Sequence, residues 1–366
     1  VEALVEGEAE ITAESLDLDA HNRAIVFNLV YAGGAAANVA INAAIAAQAV
    51  ENVTIARLSD RAKVSTGDLT ITALDDSFIM GLAGAFAGSD GAVSVGASGV
   101  VNFSKRQLYA GIGPAESGAV LGGTAGEVRI TADTVTISAN NNAITVATSV
   151  AGSRVSGKPV DDSPTPPANE TNEEDMIIPS WLFAVEETSS LSAQSNFVPS
   201  GGKGDKQNQT GWSFAGAATV NLMLQNEVVT EIATNARIEV ANALSLIAMN
   251  TSYGITGAGA VSVGLGSTQK NNALAGAFAV TVDERDVLTL IRGADIEAGS
   301  AIVRADDDSV VVGVAVGGAG SSNGKVTVAG SVAVNVLTGE TRTDVSDATL
   351  TTDEDLTLAA TDESLT

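Results

Sequence analysis

The sequence predicts an all-β chain, an elongated parallel β-helix (β-solenoid) built from tandem repeats of about 58 residues, and three observations carry the prediction. Short alternating strands recur at near-regular intervals. A second mark, independent of the first, keeps step with them. The apolar residues are also of an unusual kind: the chain is 45% hydrophobic, yet only 4% aromatic and rich in Ala, Val and Ile, with 38 Gly. A compact globule fills its centre with large side chains at crystal-like density, whereas small and β-branched residues suit a thin core between closely spaced sheets.

The first mark is a strand ending in a polar turn. Its clearest copies are Asp68-Leu69-Thr70-Ile71-Thr72-Ala73, Thr134-Val135-Thr136-Ile137-Ser138-Ala139 and Asp355-Leu356-Thr357-Leu358-Ala359-Ala360. Taking Leu16, Leu69, Val135, Leu244, Ile302 and Leu356 as equivalents, the intervals are 53, 66, 109, 58 and 54. Asp, Asn or Ser follows most copies, as in Asp75-Asp76-Ser77, and such residues close turns through their own side chains. The second mark is a β-branched residue followed by Asn: Ile41-Asn42, Val101-Asn102, Val220-Asn221 and Val334-Asn335, with Val280-Thr281 as a variant. Its intervals are 60, 119, 60 and 54. Both marks show one long interval, in the same place.

That long interval is an insertion. Six of the seven prolines lie between Val155 and Thr210, with the acidic run Glu173-Glu174-Asp175. Proline lacks the N–H that a ladder needs. The expected organisation is therefore repeats over 1–154, a Pro-rich acidic insertion over 155–210 projecting from a turn, and repeats again over 211–366. The Ala-rich stretch Ala35 to Gln48 is the best candidate for a helix, but its alignment with the strand ending Val334-Asn335 reads as strand. A unit of this length divides into three coils of about 19 residues each. On that division the Asn residues of successive units do not stack on one another, and each bonds its own turn. The rival architecture is a β-roll or flattened sandwich of stacked hairpins. The chain begins inside one repeat and ends inside another, as a piece of a longer protein does.

Composition also excludes functions. There are 44 Asp and Glu against 18 Lys and Arg, a formal charge of −26, which repels nucleic acid and anionic membranes. No Cys is present, so disulfides and thiol chemistry are excluded. No uninterrupted apolar run is long enough for a membrane helix. His21 is the lone histidine and follows a repeat strand at a position where other copies carry turn residues, so it reads as a turn residue and not as a catalytic base. No phosphate-binding Gly loop is present. The expectation is that the chain is not an enzyme. β-Helices do host polysaccharide hydrolases, and a cleft with paired carboxylates and exposed aromatics is what that alternative requires.

Two kinds of candidate site remain. The insertion carries an apolar cluster that includes Trp181, Leu182 and Phe183, with Trp212 just beyond, and these four are the candidates for contact with a partner. Asp306, Asp307 and Asp308 are the candidates for calcium, the hard cation that carboxylates select, although the tandem Gly-Gly-x-Gly-x-Asp pattern of calcium-binding rolls is absent. No other cofactor is expected.

Gly67-Asp68-Leu69-Thr70-Ile71-Thr72-Ala73 and Gly330-Ser331-Val332-Ala333-Val334-Asn335 resemble the repeats of giant bacterial surface proteins. These are the filamentous-haemagglutinin-like adhesins and the leukotoxin-like or autotransporter-like exoproteins. The resemblance covers most of the chain outside the insertion. It implies export, an extracellular or cell-surface location, and a structural and adhesive role. The implied partners are a host or neighbouring cell surface, or further copies of the chain end to end; a self-assembling fibre subunit is the related alternative.

Overall fold

A computed structural model describes residues 1–114, 126–156, 210–265 and 270–366. Among them there is no helix. The chain passes through β1 (Glu2–Val5), β2 (Glu10–Asn22) and β3 (Ile25–Ala36), one strand in each of three sheets, and then repeats that order. The following turns are β4 (Val39–Leu58), β5 (Lys63–Asp75) and β6 (Phe78–Ser89); then β7 (Val93–Ile112), β8 (Val128–Asn141) and β9 (Ile144–Val155). After these come β10 (Gly211–Ile232), β11 (Ala236–Asn250) and β12 (Tyr253–Gly264); β13 (Asn271–Arg292), β14 (Asp295–Asp307) and β15 (Val310–Ser321); and finally β16 (Thr327–Ser346), β17 (Thr349–Thr352) and β18 (Leu356–Asp362).

Sheet A has the order β1-β4-β7-β10-β13-β16, sheet B runs from β2 to β14 and then to β17 and β18, and sheet C has the order β3-β6-β9-β12-β15. Every pairing is parallel, and each strand pairs with its equivalent one turn away. This is a parallel β-solenoid. Stacked hairpins need antiparallel neighbours, so the rival architecture is excluded. Ala35 to Gln48 is strand, as expected, interrupted only by a turn at Ala37 and Asn38.

Three expectations need correcting. First, each repeat makes one turn of the solenoid and not three coils of about 19 residues, because its strands are long: 20 residues in β4 and β7, 12 in each strand of sheet C. A repeat therefore advances the axis by one strand spacing, about 4.8 Å, while a 20-residue strand spans about 66 Å across it. Second, the Asn marks do stack directly. Asn102, Asn221, Thr281 and Asn335 lie opposite one another, and the first member of the row is Gln48, not Asn42. Third, Ile302 is not the equivalent of Leu69. Leu244 pairs with Ala301, which is buried, whereas Ile302 is 46% exposed. A slip of one residue moves a side chain to the other face of a strand.

The corners have a common chemistry. Each corner from sheet A to sheet B holds a left-handed residue: Gly7, Asp60 and Arg61, Gly113, Asn235, Gly293 and Asp347 all have positive φ. Each corner from sheet B to sheet C begins with Asn or Asp in register, from Asn22 through Asp75, Asn141, Asn250 and Asp307 to Asp362. Asp75 Oδ1 accepts from the Ser77 N–H at 2.8 Å and Asp362 Oδ1 from the Ser364 N–H at 3.0 Å, closing Asx turns. The same row links one turn to the next: Asn141 donates to Asn250 (2.8 Å) and Asn250 to Asp307 (2.9 Å).

Two cores result. The C-terminal half of sheet A packs on sheet B through large side chains, among them Leu58, Leu69, Ile112, Ile137, Ile232 and Leu246. The N-terminal half of sheet A packs on sheet C almost entirely through Ala, with Ser and Thr. We call the first region the body and the second the fin.

Candidate functional site

In the body, alternation follows the usual rule. Leu69, Ile71 and Ala73 point inward, and Asp68, Thr70 and Thr72 point out. In the fin the rule is inverted. The inward residues of β12 are small, as in Thr256, Ala258, Ala260 and Ser262, whereas its outward residues include Tyr253, Ile255 and Val261, which are 42–51% exposed. β6 presents Phe78, Met80, Leu82 and Phe86 on the same outer surface, and β15 presents Val312, Val314 and Val316. The outer surface of sheet A in the fin is alike, with Val95, Phe214, Phe278 and Val332. The fin is thus a two-layered blade with a small-residue interior and an apolar surface on both sides.

The thinness of the interior follows from its residues. A Cβ at Gly96 of sheet A would collide with the Gly152 carbonyl of sheet C, so the two backbones are nearly in contact there. Cα atoms of facing strands commonly approach within 8 Å across the fin and seldom do so across the body. So narrow a space admits no Leu or Phe, and large side chains can only point away. Several buried hydroxyls find partners inside: Ser149 bonds Thr219 (2.7 Å), Ser153 bonds Ser213 (2.6 Å), and Thr219 also donates to the Gly257 carbonyl (2.7 Å). Gln48 donates to Asn102 at 2.7 Å, and Asn102 donates across the fin to the Val146 carbonyl at 2.8 Å. Where Thr281 replaces Asn in that row, it meets Thr256 of sheet C at 2.6 Å.

The outer surfaces are flat as well as apolar. On sheet C, Tyr31 lies over Gly84 and Phe86 lies over Gly152, each ring filling the space left by a missing Cβ on the neighbouring strand. On sheet A, Trp212 and Phe214 stack with centroids 5.7 Å apart. Every described Phe, with Trp212, Tyr31 and Tyr253, faces outward on the fin. The fin is also uncharged. In a chain that is 17% charged, Arg154 is the single charged residue in the five strands of sheet C, and the facing halves of β4, β7, β10, β13 and β16 have none before Asp283, which is the equivalent of Ser104, and the position of Lys105.

A buried polar network joins fin to body. Arg106 is 1% exposed and donates to Ser77 (3.2 Å) and Thr145 (2.9 Å), with Asp75 at 3.9 Å. Burial holds its guanidinium below the usual arginine value, and the charges of Asp75 and Asp283 partly offset that. One turn on, the equivalent residue is the neutral Asn226, facing the neutral row of Asn141 and Asn250. One turn further it is Arg285, which pairs with Asp283 (3.3 Å) and Asp307 (2.5 Å). Burial raises both carboxyls above the usual range, with Arg285 opposing the shift. Asp75 is met by Arg106 and by the amide of Asn52, the equivalent of Arg106 one turn before it (3.2 Å), and Asp307 is met by Arg285.

The structure does not bring the three proposed calcium ligands together. Asp307 points inward to Arg285 and Asn250, Asp306 points outward and pairs with Arg304, and Asp308 lies exposed at the corner. A groove on the outer face of sheet B is lined by Asp133, Glu239, Glu297 and Asp353, about one from each turn. Among the described residues no group of three or more His, Asp or Glu is placed to hold a metal ion. Trp212 lies on the outer face of β10, in the apolar surface of the fin. Trp181, Leu182 and Phe183 lie outside the described residues. The surfaces of the fin went unnoticed in the sequence reading. Their signal is in the strands: large apolar residues alternating with Ala, Ser and Gly over 12 positions without a charge.

The inverted fin has to be read from its own geometry, because comparison with protein families, with curated proteins and with solved structures finds no match.

Proposed function

We propose that this chain is a structural and adhesive segment of a large extracellular, cell-surface protein of a bacterium, a stiff scaffold that carries an adhesive edge. The observation that carries this reading is the pairing of an unbroken ladder with an uncharged apolar blade along one side of it. Each turn is tied to the next by full-length parallel pairing and by the buried Asx row, so the array resists bending between turns. An exposed apolar surface of this extent marks an interaction site. The acidic body, with most of the net charge of −26, keeps the remainder hydrated and self-repelling. The location, the bacterial source and the partnership with a cell surface come from the resemblance of the repeats to giant surface adhesins.

Antibody raised against the 366-residue chain tests the location. Gold label on the outside of intact source cells is the expected result, and label confined to the cytoplasm overturns the proposal. A scaffold also releases no reducing sugar from acidic or neutral polysaccharides. Turnover that is lost when carboxylates of the sheet B groove, such as Glu239 and Glu297, are changed to Gln establishes the enzymatic alternative.

A further inference from the structure

We propose that the outer surface of sheet C docks face to face on the same surface of a second copy of this chain. The inference goes beyond the scaffold reading and can fail without it.

Size comes first. Five strands at about 4.8 Å, each of 12 residues at about 3.3 Å, make a face of roughly 950 Å², against about 800 Å² per partner in a standard stable interface. The surface is levelled by rings lying over Gly84 and Gly152, which suits packing of one sheet on another. Large side chains such as Ile255, Val261 and Val314 stand out from it at 42–52% exposure with no described partner above them.

Charge selects the arrangement. One edge of the face is the corner from sheet B, which carries Asp76, Asp308 and Glu363 against the single base Arg23; the opposite edge, at the tip of the fin, carries Arg154, Lys270 and Lys325 against the single acid Asp90. Among the described residues the first edge is thus net acidic and the second net basic. A two-fold axis parallel to the solenoid axis, which runs the strands of the two copies antiparallel, sets the acidic corner of each over the basic tip of the other. It also puts the two acidic bodies on opposite sides. Such an interface is closed and self-complementary. The outer surface of sheet A is less suited to self-pairing, because it runs directly into Glu51, Glu227, Glu284 and Glu340 on the same strands. Lipid is the rival occupant. Among the described residues the tip of the fin carries the charges of Asp90, Arg154, Lys270 and Lys325. Inserting the tip into hydrocarbon therefore means moving those charges into it, at several kcal/mol.

Sedimentation velocity on the full chain is the test. The expected result is a concentration-dependent dimer at tens of micromolar, and a monomer at that concentration overturns the proposal. The double variant Ile255→Lys, Val261→Lys puts two unpaired charges in the centre of the interface and is expected to raise the dissociation constant at least a hundredfold, with far-UV circular dichroism unchanged. If that variant does not fold, Val146→Thr with Val150→Thr keeps the branched shape and is expected to weaken the dimer at least tenfold. Phe278→Lys, on the opposite face, leaves the dimer intact; a dimer lost on Phe278→Lys and kept in the sheet C variants overturns the assignment. Flotation with phosphatidylcholine vesicles separates the remaining case. Wild-type chain that floats with the vesicles, and ceases to in the double variant, has lipid and not a second copy as its partner.

Discussion

The body and the fin are built from the same strands, yet they solve opposite problems. β13 begins in the fin with Phe278 outward and Ala277 inward, and ends in the body with Ile291 inward. In the body, burial of Leu and Ile supplies the stabilisation and charged residues face water. In the fin the interior is too narrow for that, and cohesion there comes from ladder pairing, hydroxyl bonds and the close approach of small residues. A fin of this kind cannot hide its large side chains in itself. It follows that the body's surface reports on solubility and the fin's surface on partners, and mutations should divide along that line.

The largest effect belongs to the joint between the two regions. Arg285→Met leaves Asp283 and Asp307 buried without their cation, and a broken buried pair costs about 3–5 kcal/mol. A large fall in the urea midpoint is the expected result. Adding Asp283→Asn and Asp307→Asn to the same chain returns most of it, since a neutral layer already exists one turn away at Asn226. Failure of the triple variant to recover would show that Arg285 acts through packing and not through charge.

Next is the contrast of the two kinds of apolar side chain. Leu246→Ala, at 0% exposure in the body, should cost about 2–5 kcal/mol. Val261→Ala, at 51% exposure on the fin, should stay within about 0.5 kcal/mol at concentrations where the chain is monomeric. Equal losses at the two sites, read as urea midpoints, would abolish the distinction between body and fin.

Glycines sharpen it further. Gly96→Val drives a side chain into the facing backbone and should cost at least about 1–3 kcal/mol. Gly276→Val, on the outer face with nothing within 4 Å, should be neutral or gain a few tenths of a kcal/mol from strand propensity. Thermal melting of the two variants side by side reads the difference directly.

Much of this was legible in the strands and some was not. The interval between Leu16, Leu69 and Val135 marks true neighbours, because the turn chemistry of Asp75 and Asn141 repeats with them. The number of turns per repeat was harder, because sheet A strands run for 20 residues across two different environments with no turn residue between them. Parity could have been read at Ile302: Arg304, two residues on, shares its face and is half exposed, so Ala301, Val303 and Ala305 face the core. A small-residue interior is right for the fin, where Ala83, Ala85, Ala258 and Ala260 point inward, whereas Gly stands on both faces, outward at Gly84, Gly152 and Gly276. What alternation alone does not reveal is that no second layer covers the large residues of the other parity among the described residues. A period of two defines two faces and says nothing of what lies beyond each.

The smallest effect tests the joint by pH. The Asp283 carboxyl is raised above its ordinary value, mainly by burial, with Arg285 and the Asn226 side chain opposing the shift. A carboxyl with a raised folded-state value binds its proton more tightly in the folded chain than in the unfolded one. Its contribution is therefore fully present below the ordinary aspartate range and is lost as pH rises through the raised value. Asp283→Asn cannot titrate, and it keeps the size and much of the hydrogen bonding of the native residue. The two proteins should have similar urea midpoints at the acid end of the folded range, and the variant should gain on the wild type as pH rises toward neutrality. A constant difference across that range would mean that Asp283 titrates as freely in the joint as it does in water, and that its burial between fin and body carries no electrostatic cost.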